Sequence, residues 1–326
     1  MTSSPSAALV LHRLGGDTMG TTWSVWLAAA RDADLRVLHA GIEAQLAQVI
    51  RQMSTWEAES DISRYNRAAA GEWLPLPSGF AQVLACALEI AEASEGAFDP
   101  TVGALVGLWG FGAHACDAVP DAEALTAAQA RSGWKRIVFD AGDHRVLQPG
   151  GLQLDLSAIA KGYAADRVAA CLCEAGIADA LVEVGGELVG HGRKPDGEPW
   201  RVLVEAGPEE DDHRLEPRVL ELDGLAVATS GDRWHHYTRS GRRYTHTIDP
   251  RSGEPVEHAP TAVSVIADDA MHADAWATAL GVLGANAGHA LALQLGLAVR
   301  FLWRDREGMH ERMTDAFRLH LAAPAQ

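Results

Sequence analysis

The sequence predicts an α+β fold, and three observations carry that prediction. Stretches with two-residue alternation and stretches with three- and four-residue apolar spacing are mixed, without the regular strand, helix, strand rhythm of a doubly wound sheet. No internal repeat and no linker divides the 326 residues, so one domain is expected. With 48% hydrophobic and 22% charged residues, the chain has the ordinary make-up of a protein with a sizeable core.

Taken in order, residues 1–15 read as a flexible N-terminus and 16–320 as the domain. β-branched and aromatic residues at 17–27 predict a strand. From 34 to 53, Leu35, Leu38, Ile42, Leu46, Val49, Ile50 and Met53 recur at helical spacing and define an amphipathic helix. Ser60 and Asp61 are placed to cap a short helix. Pro75 and Pro77 mark a loop before a helix over 80–95, which ends at Gly96. Glycines crowd 103–112, close to Asp99, where they permit a ligand to approach the backbone or simply form a surface loop. Residues 113–133 read as a polar loop and short helix, and 137–139 with 145–148 as a hairpin.

The segment 153–167 changes period part-way. Gln153 to Leu156 alternate as a strand does, whereas Ile159, Tyr163 and Arg167 are four apart, so the chain is expected to turn from strand into helix near Ser157. A helix start directs unpaired N–H groups and the positive dipole end forward. With Lys161 one turn in and Asp155 just before, the segment suits an anionic or metal-bound ligand; an ordinary connection with a solvated lysine fits the same residues. Beyond it, 180–188 reads as a strand broken by Gly185 and Gly186, a pattern for a bulge or a close approach. Strands follow at 200–205 and 218–222, separated by an acidic loop at 207–217. Residues 225–232 lead to a strand pair around Ser240 and Gly241, whose second arm is 243–248, and 249–253 form a turn. A strand at 262–266 precedes a helix over 270–283 capped by Asp268 or Asp269; a helix at 287–295 and a strand at 299–303 close the domain.

Composition narrows function. A formal charge of −17 argues against nucleic-acid binding, since phosphate is repelled by most of such a surface. The four cysteines, Cys86, Cys116, Cys171 and Cys173, lack the spacing of a disulfide framework or zinc site and read as reduced thiols. Residues 1–14 carry no basic, apolar leader, and no run of about 18 apolar residues could span a bilayer. The expected location is cytoplasmic, or periplasmic if a leader precedes this chain.

For chemistry, Asp274 and Thr278 are four apart and offer a carboxylate and a hydroxyl on one helix face. With a carbonyl freed at the strand-to-helix junction, for instance that of Ala158, they form a hard-oxygen set suited to magnesium or calcium. The same pair also fits a surface or capping role. Among 14 histidines none shows zinc spacing. His246 is singled out because it sits beside the turn at Asp249, where it can be packed or act as a general base. No nucleophile elbow, P-loop or dinucleotide fingerprint occurs in its required context. The residues alone therefore lead to a divalent-metal site binding a phosphorylated ligand.

Eight blocks, taken together, resemble the ApbE family, the FAD:protein FMN transferases. They are Thr18-Met19-Gly20-Thr21; Met53-Ser54-Thr55-Trp56 with Ser60-Asp61-Ile62-Ser63-Arg64-Tyr65-Asn66; Gly96-Ala97-Phe98-Asp99-Pro100-Thr101-Val102-Gly103; Asp155-Leu156-Ser157-Ala158-Ile159-Ala160-Lys161-Gly162-Tyr163; Gly185-Gly186; Thr229-Ser230-Gly231-Asp232; His246-Thr247-Ile248-Asp249-Pro250-Arg251-Ser252-Gly253; and Asp269-Ala270-Met271-His272-Ala273-Asp274-Ala275. They run in family order over residues 18–283. The fold implied is a T-fold-like single domain of mixed, mostly antiparallel sheets flanked by helices, with the site between two closely packed lobes. The activity implied is Mg2+-dependent cleavage of FAD, attachment of FMN by a phosphoester bond to a threonine or serine of a target flavoprotein, and release of AMP. By the same resemblance Ala158, Asp274 and Thr278 ligate Mg2+, and Met19, Trp56, Ala97, Phe98, Asp99, Lys161 and Ile248 line the FAD site. His246 assists proton transfer, so that His246 and Asp274 carry the catalytic step. An FAD pyrophosphatase releasing FMN and AMP, or a flavin-binding protein without turnover, are the alternatives. The sequence departs from the family at Trp56, Ser157, Glu183 and His272, where tyrosine, glycine, asparagine and threonine are common.

Overall fold

The computed structural model describes residues 8–113, 119–204, 215, 217–231, 236–239, 242–256 and 262–322, with the backbone alone at 236–239, 242 and 243. Residues 1–7, most of the acidic loop at 207–217, the turn at Ser240 and Gly241, and Cys116, Asp232, His235 and His258 lie outside the described residues.

The chain opens with a hairpin of β1 (Leu9–Thr18) and β2 (Thr21–Ala30), then α1 (Leu35–Met53), α2 (Asp61–Arg67), β3 (Trp73–Pro75), α3 (Ser78–Ala93), α4 (Gly103–Leu108) and α5 (Ala122–Gln129). Next come β4 (Val138–Asp140), β5 (Arg145–Leu147), α6 (Ala160–Glu174), β6 (Ala180–Val184), β7 (Glu187–His191), β8 (Trp200–Val204), β9 (Arg218–Leu222) and β10 (Leu225–Ser230). The last third holds β11 (His236–Arg239), β12 (Arg242–Thr245), β13 (Ile248–Asp249), β14 (Glu254–Pro255), β15 (Ala262–Ala267), α7 (Ala270–Leu295), β16 (Ala298–Asp305), β17 (Gly308–Met313) and α8 (Asp315–Arg318).

An eight-stranded antiparallel sheet, in the order β1-β2-β6-β7-β10-β15-β16-β17, is the frame. This is the α+β class expected. Alternation sets its faces: Trp23, Val25 and Leu27 of β2 are buried on the side where α1, α6 and α7 supply Ile42, Leu46, Val49, Val168, Leu172 and Leu280. The opposite face is covered by the β8–β9 ribbon and α8, through Val202, Leu220, Leu222, Ile266 and Phe317. Burying both faces supplies the main stabilisation, about 25 cal/mol per Å2 of apolar surface removed from water.

Local chemistry fixes the ends as expected. Asp34 accepts the Arg36 N–H at the start of α1, and the Ser60 hydroxyl accepts the Ser63 N–H at the start of α2. α3 ends through Glu95 and Gly96, both at positive φ. The two expected C-terminal helices are a single run broken at Gly284, whose φ of 76° and ψ of 169° no helix contains.

Four expectations are corrected. The flexible start does not extend to residue 15: β1 pairs with β2 over ten residues, and its weak signal reflects an edge strand whose Leu9 and Leu11 face solvent. Gly185 and Gly186 do not bulge one strand. Their φ values of 64° and 106° make the tight turn of the β6–β7 hairpin, since positive φ at both central residues matches the twist of the flanking strands. Gln153 makes only an isolated bridge to Val102, so the chain enters α6 as an extended segment rather than a sheet strand. His246 lies beyond the end of β12 instead of inside a strand to Ile248. β17, which was not expected, is polar in sequence and is held by pairing to β16 and by Glu311, which takes both Arg218 and Arg300.

Candidate active site

The site begins where the extended segment becomes α6. Leu152, Leu154 and Leu156 are buried, and the Asp155 carboxylate accepts the Ser157 N–H at 2.9 Å, bending the chain into the helix. Asp155 thus supports the turn. Tyr163 N–H then reaches back four residues to the Ile159 carbonyl at 3.1 Å, as an α-helix requires. Gly162 does not. By the same periodicity its N–H would meet the Ala158 carbonyl, but it donates to Asp274 Oδ2 at 3.1 Å. Among the described residues the Ala158 carbonyl therefore has no N–H donor, and the Asp274 carboxylate is drawn to the helix start. Only glycine allows this approach, since a Cβ on residue 162 would lie 2.1 Å from the Ala270 carbonyl oxygen and 2.9 Å from Asp274 Cβ.

α7 delivers Asp274 from the other side. Its first turn is held by two carboxylates: Asp269 accepts the His272 N–H at 2.8 Å, and Asp166 of α6 accepts those of Ala270 and Met271 at 2.8 and 2.9 Å. Burial pushes the Asp166 carboxyl up to about 7 despite these bonds. Asp274 is 5% exposed; burial raises its carboxyl, opposed by the Lys161 charge and the Gly162 N–H. Thr278, half-buried, follows one turn later on the same face.

Lys161 forms an ion pair with Glu187 Oε1. Burial alone would lower the lysine, but the Asp274 and Glu187 carboxylates outweigh it and hold the ammonium up. Glu187 is 2% exposed at the start of β7; burial first, and then the Asp274 charge, push it up to about 8 against the pull of Lys161. Its Oε2, like the Thr18 hydroxyl oxygen, is buried without a hydrogen-bond partner among the described residues. Fully ionised, one ammonium would face two carboxylates, and the raised Glu187 and Asp274 carboxyls reflect how the cluster resists that second negative charge. Met19, at φ 49°, lies in the β1–β2 turn beside it, where residues 17–22 line an open hollow.

The face of α7 continues to a second group of expected residues. Val282, two turns beyond Asp274, packs with Ala97 and Val256. Val256 N–H donates to the Thr247 carbonyl at 3.0 Å, which places His246 and Ile248 at this end of the helix. The His246 ring meets Phe111 edge-on at 6.4 Å, while Ile248 is buried with Leu105, Trp109 and Tyr244. Trp109 Nε1–H anchors the loop by donating to the Gly253 carbonyl at 2.8 Å.

Ala158, Lys161 and Asp274 are thus brought together, Thr278 follows on the same helix face, and Ala97, His246 and Ile248 lie at its far end. Phe98 is buried in the main core. Asp99 turns both oxygens to protein donors, Thr101 N–H and hydroxyl at 2.8 and 2.6 Å and Trp134 N–H at 3.0 Å, so its carboxylate holds the loop. Trp56, 67% exposed, presents its indole to solvent between α1 and α2. Of the departures, Glu183 accepts the Ser24 hydroxyl at 2.8 Å. His272 Nδ1 lies 2.8 Å from Asp269, which together with Cys86 pushes the imidazole up to about 10. Sequence reasoning missed Glu187 and Asp166. The signal for Glu187 was an acidic residue directly after a glycine pair; Asp166 gave none, because its partners are backbone amides 104 and 105 residues away.

Comparison with known proteins decides the family. The model described as "ApbE family" matches residues 19–301. The chain belongs to the ApbE family. It is 36% identical over 324 residues to a FAD:protein FMN transferase of Klebsiella pneumoniae, covering 98% of this chain and 92% of that one. To the Escherichia coli K12 protein of the same name it is 33% identical, covering 95% and 89%. Among solved ApbE structures, the apo form of the Pseudomonas stutzeri flavinyl transferase superposes with a TM-score of 0.89 at 40% identity, covering 97% of this chain and 98% of that one. The Vibrio cholerae flavin transferase gives 0.88 at 36%, covering 96% and 100%.

The ApbE residues at the α6–α7 crossing also pass a chemical test for Mg2+. A carbonyl without an N–H donor, a buried carboxylate and a nearby hydroxyl are hard oxygen donors, and a divalent cation would favour the ionised form of that carboxylate. Ala158, Asp274 and Thr278 are the residues that would hold it.

Proposed function

We propose that this ApbE protein is a Mg2+-dependent FAD:protein FMN transferase that moves FMN from FAD to a threonine or serine hydroxyl of a target flavoprotein and releases AMP. The observation that carries the reading is the diverted Gly162 N–H, which frees the Ala158 carbonyl and ties Asp274 to the start of α6 with one hydrogen bond. Bound there, Mg2+ would neutralise pyrophosphate charge and polarise the phosphorus that is attacked.

The chain's own residues do the rest. Lys161, held by Glu187, places an ammonium beside the phosphates at a helix start whose dipole also favours anions. Met19 and the Ala97–Phe98 backbone contribute the walls of the nucleotide site, and the exposed Trp56 is a flat aromatic able to stack on the flavin ring. His246 takes the proton of the acceptor hydroxyl as its oxygen bonds to phosphorus and the bond to AMP breaks.

The test is incubation with FAD, Mg2+ and a flavoprotein domain bearing an acceptor threonine, followed by mass spectrometry. Transfer predicts an FMN adduct on the domain with one AMP per adduct. AMP without adduct would instead assign a pyrophosphatase, and neither product a flavin-binding protein.

A further inference from the structure

Glu187 is not explained by its ion pair with Lys161. One of its oxygens meets the ammonium, while Oε2 is buried with no partner among the described residues. An orphaned buried carboxylate oxygen is costly, and a structural salt bridge would be expected to satisfy both. The β6–β7 turn comes close to that oxygen. Gly185, at φ 64°, carries no side chain; a Cβ there would stand 3.4 Å from Oε2, 3.3 Å from Lys161 Cδ and 2.9 Å from the Thr21 methyl. The turn that Thr21 closes contributes a second orphan, the buried Thr18 hydroxyl oxygen. Glu187 feels the Asp274 charge, and both carboxylates share Lys161 as the opposing cation.

The chemistry of the missing partner follows. A carboxylate oxygen repels phosphate, so the nucleotide's phosphates are not what it awaits. Hard oxygens gathered where two buried carboxylates share a single ammonium call for a hard divalent cation. We infer that Glu187 is a further acidic residue of the cation site, with Oε1 holding Lys161 and Oε2 presented to the cation, so that one carboxylate couples the metal to the phosphate-facing lysine. This rests on the proposed transferase reading, and it adds a residue outside the set Ala158, Asp274 and Thr278.

The test is Mn2+ affinity of the intact protein without nucleotide, read by electron paramagnetic resonance. Outer partners of metal ligands typically contribute 10- to 100-fold in affinity. Glu187→Gln, which keeps shape and removes charge, is expected to weaken Mn2+ by at least about 10-fold. Lys161→Met, which frees the second oxygen, is expected to leave affinity unchanged or raise it. Affinity of Glu187→Gln within about twofold of the parent, or a tenfold loss in Lys161→Met, would overturn the assignment. Should Glu187→Gln fail to fold, Glu187→Asp decides: retained charge predicts Mn2+ binding closer to the parent than in Asp274→Ala, and equal loss in both contradicts it. Mn2+ binding lost in Asp274→Ala yet intact in Glu187→Gln defeats this inference alone; no Mn2+ binding by the parent protein defeats the metal-dependent reading as well.

Discussion

Gly162 shows how closely backbone and site are joined at the level of single residues. In an exposed helix, Gly→Ala would gain about 1 kcal/mol of helix propensity. Here the added methyl would meet a carbonyl oxygen at 2.1 Å, and overpacking of this kind costs about 1–3 kcal/mol or more. The clash wins. Gly162→Ala should lower the thermal midpoint by about 2–4 °C and weaken Mn2+ binding together, measured by calorimetry and metal titration. A stability gain would refute the close approach of α6 and α7. His246 carries a different prediction. His246→Ala should slow FMN transfer by about 100-fold or more, the usual share of a general base, with FAD affinity changed less than about threefold. Equal loss of both, in single-turnover and binding measurements, would make it a packing residue against Phe111.

Among elements, α6 and α7 act as one unit because Asp166 of the first caps the second. Burial raises this carboxyl from 3.8 to about 7 in the folded protein, so folding takes up a proton between those values. Its contribution to stability is therefore largest in acid and declines as pH rises from about 4 to about 7. Asp166→Asn removes that slope along with the carboxylate. Denaturant unfolding at several pH values should show the parent losing stability relative to the variant across this window; a constant difference would contradict the shift. The helices themselves were legible in the sequence: the 3.6-residue period of α1, the cap at Asp269 and the separate runs on either side of Gly284 all rest on interactions within a few residues. β1, β17 and the β6–β7 turn were not, because edge pairing and hairpin closure draw on partners that periodicity does not record. The site divides in the same way. Asp274 and Thr278 are one helical turn apart and could be paired by spacing, whereas Glu187 meets Lys161 from 26 residues away across a hairpin.

At the scale of the whole molecule, a charge of −17 sets the problem that the site must solve, since an acidic protein is to hold a polyanionic nucleotide. Composition made that conflict readable, and the resemblance supplied its resolution through a divalent cation. If the cation binds the folded state at Asp274, it stabilises the whole fold by mass action, by about 2.7 kcal/mol at a hundredfold excess over its dissociation constant. Saturating Mg2+ should then raise the thermal midpoint of the parent by several degrees and leave Asp274→Ala unmoved. Equal shifts in both would place the ion elsewhere.

The most direct measurement is FMN transfer itself by the parent protein and by Asp274→Ala, with FAD, Mg2+ and an acceptor flavoprotein, read by intact mass. The parent should add FMN to one threonine or serine and release AMP in equal amount, while Asp274→Ala should be slower by about 100-fold or more, the loss of roughly 2.7 kcal/mol of transition-state stabilisation. No adduct from the parent, or undiminished transfer by Asp274→Ala, would contradict the account.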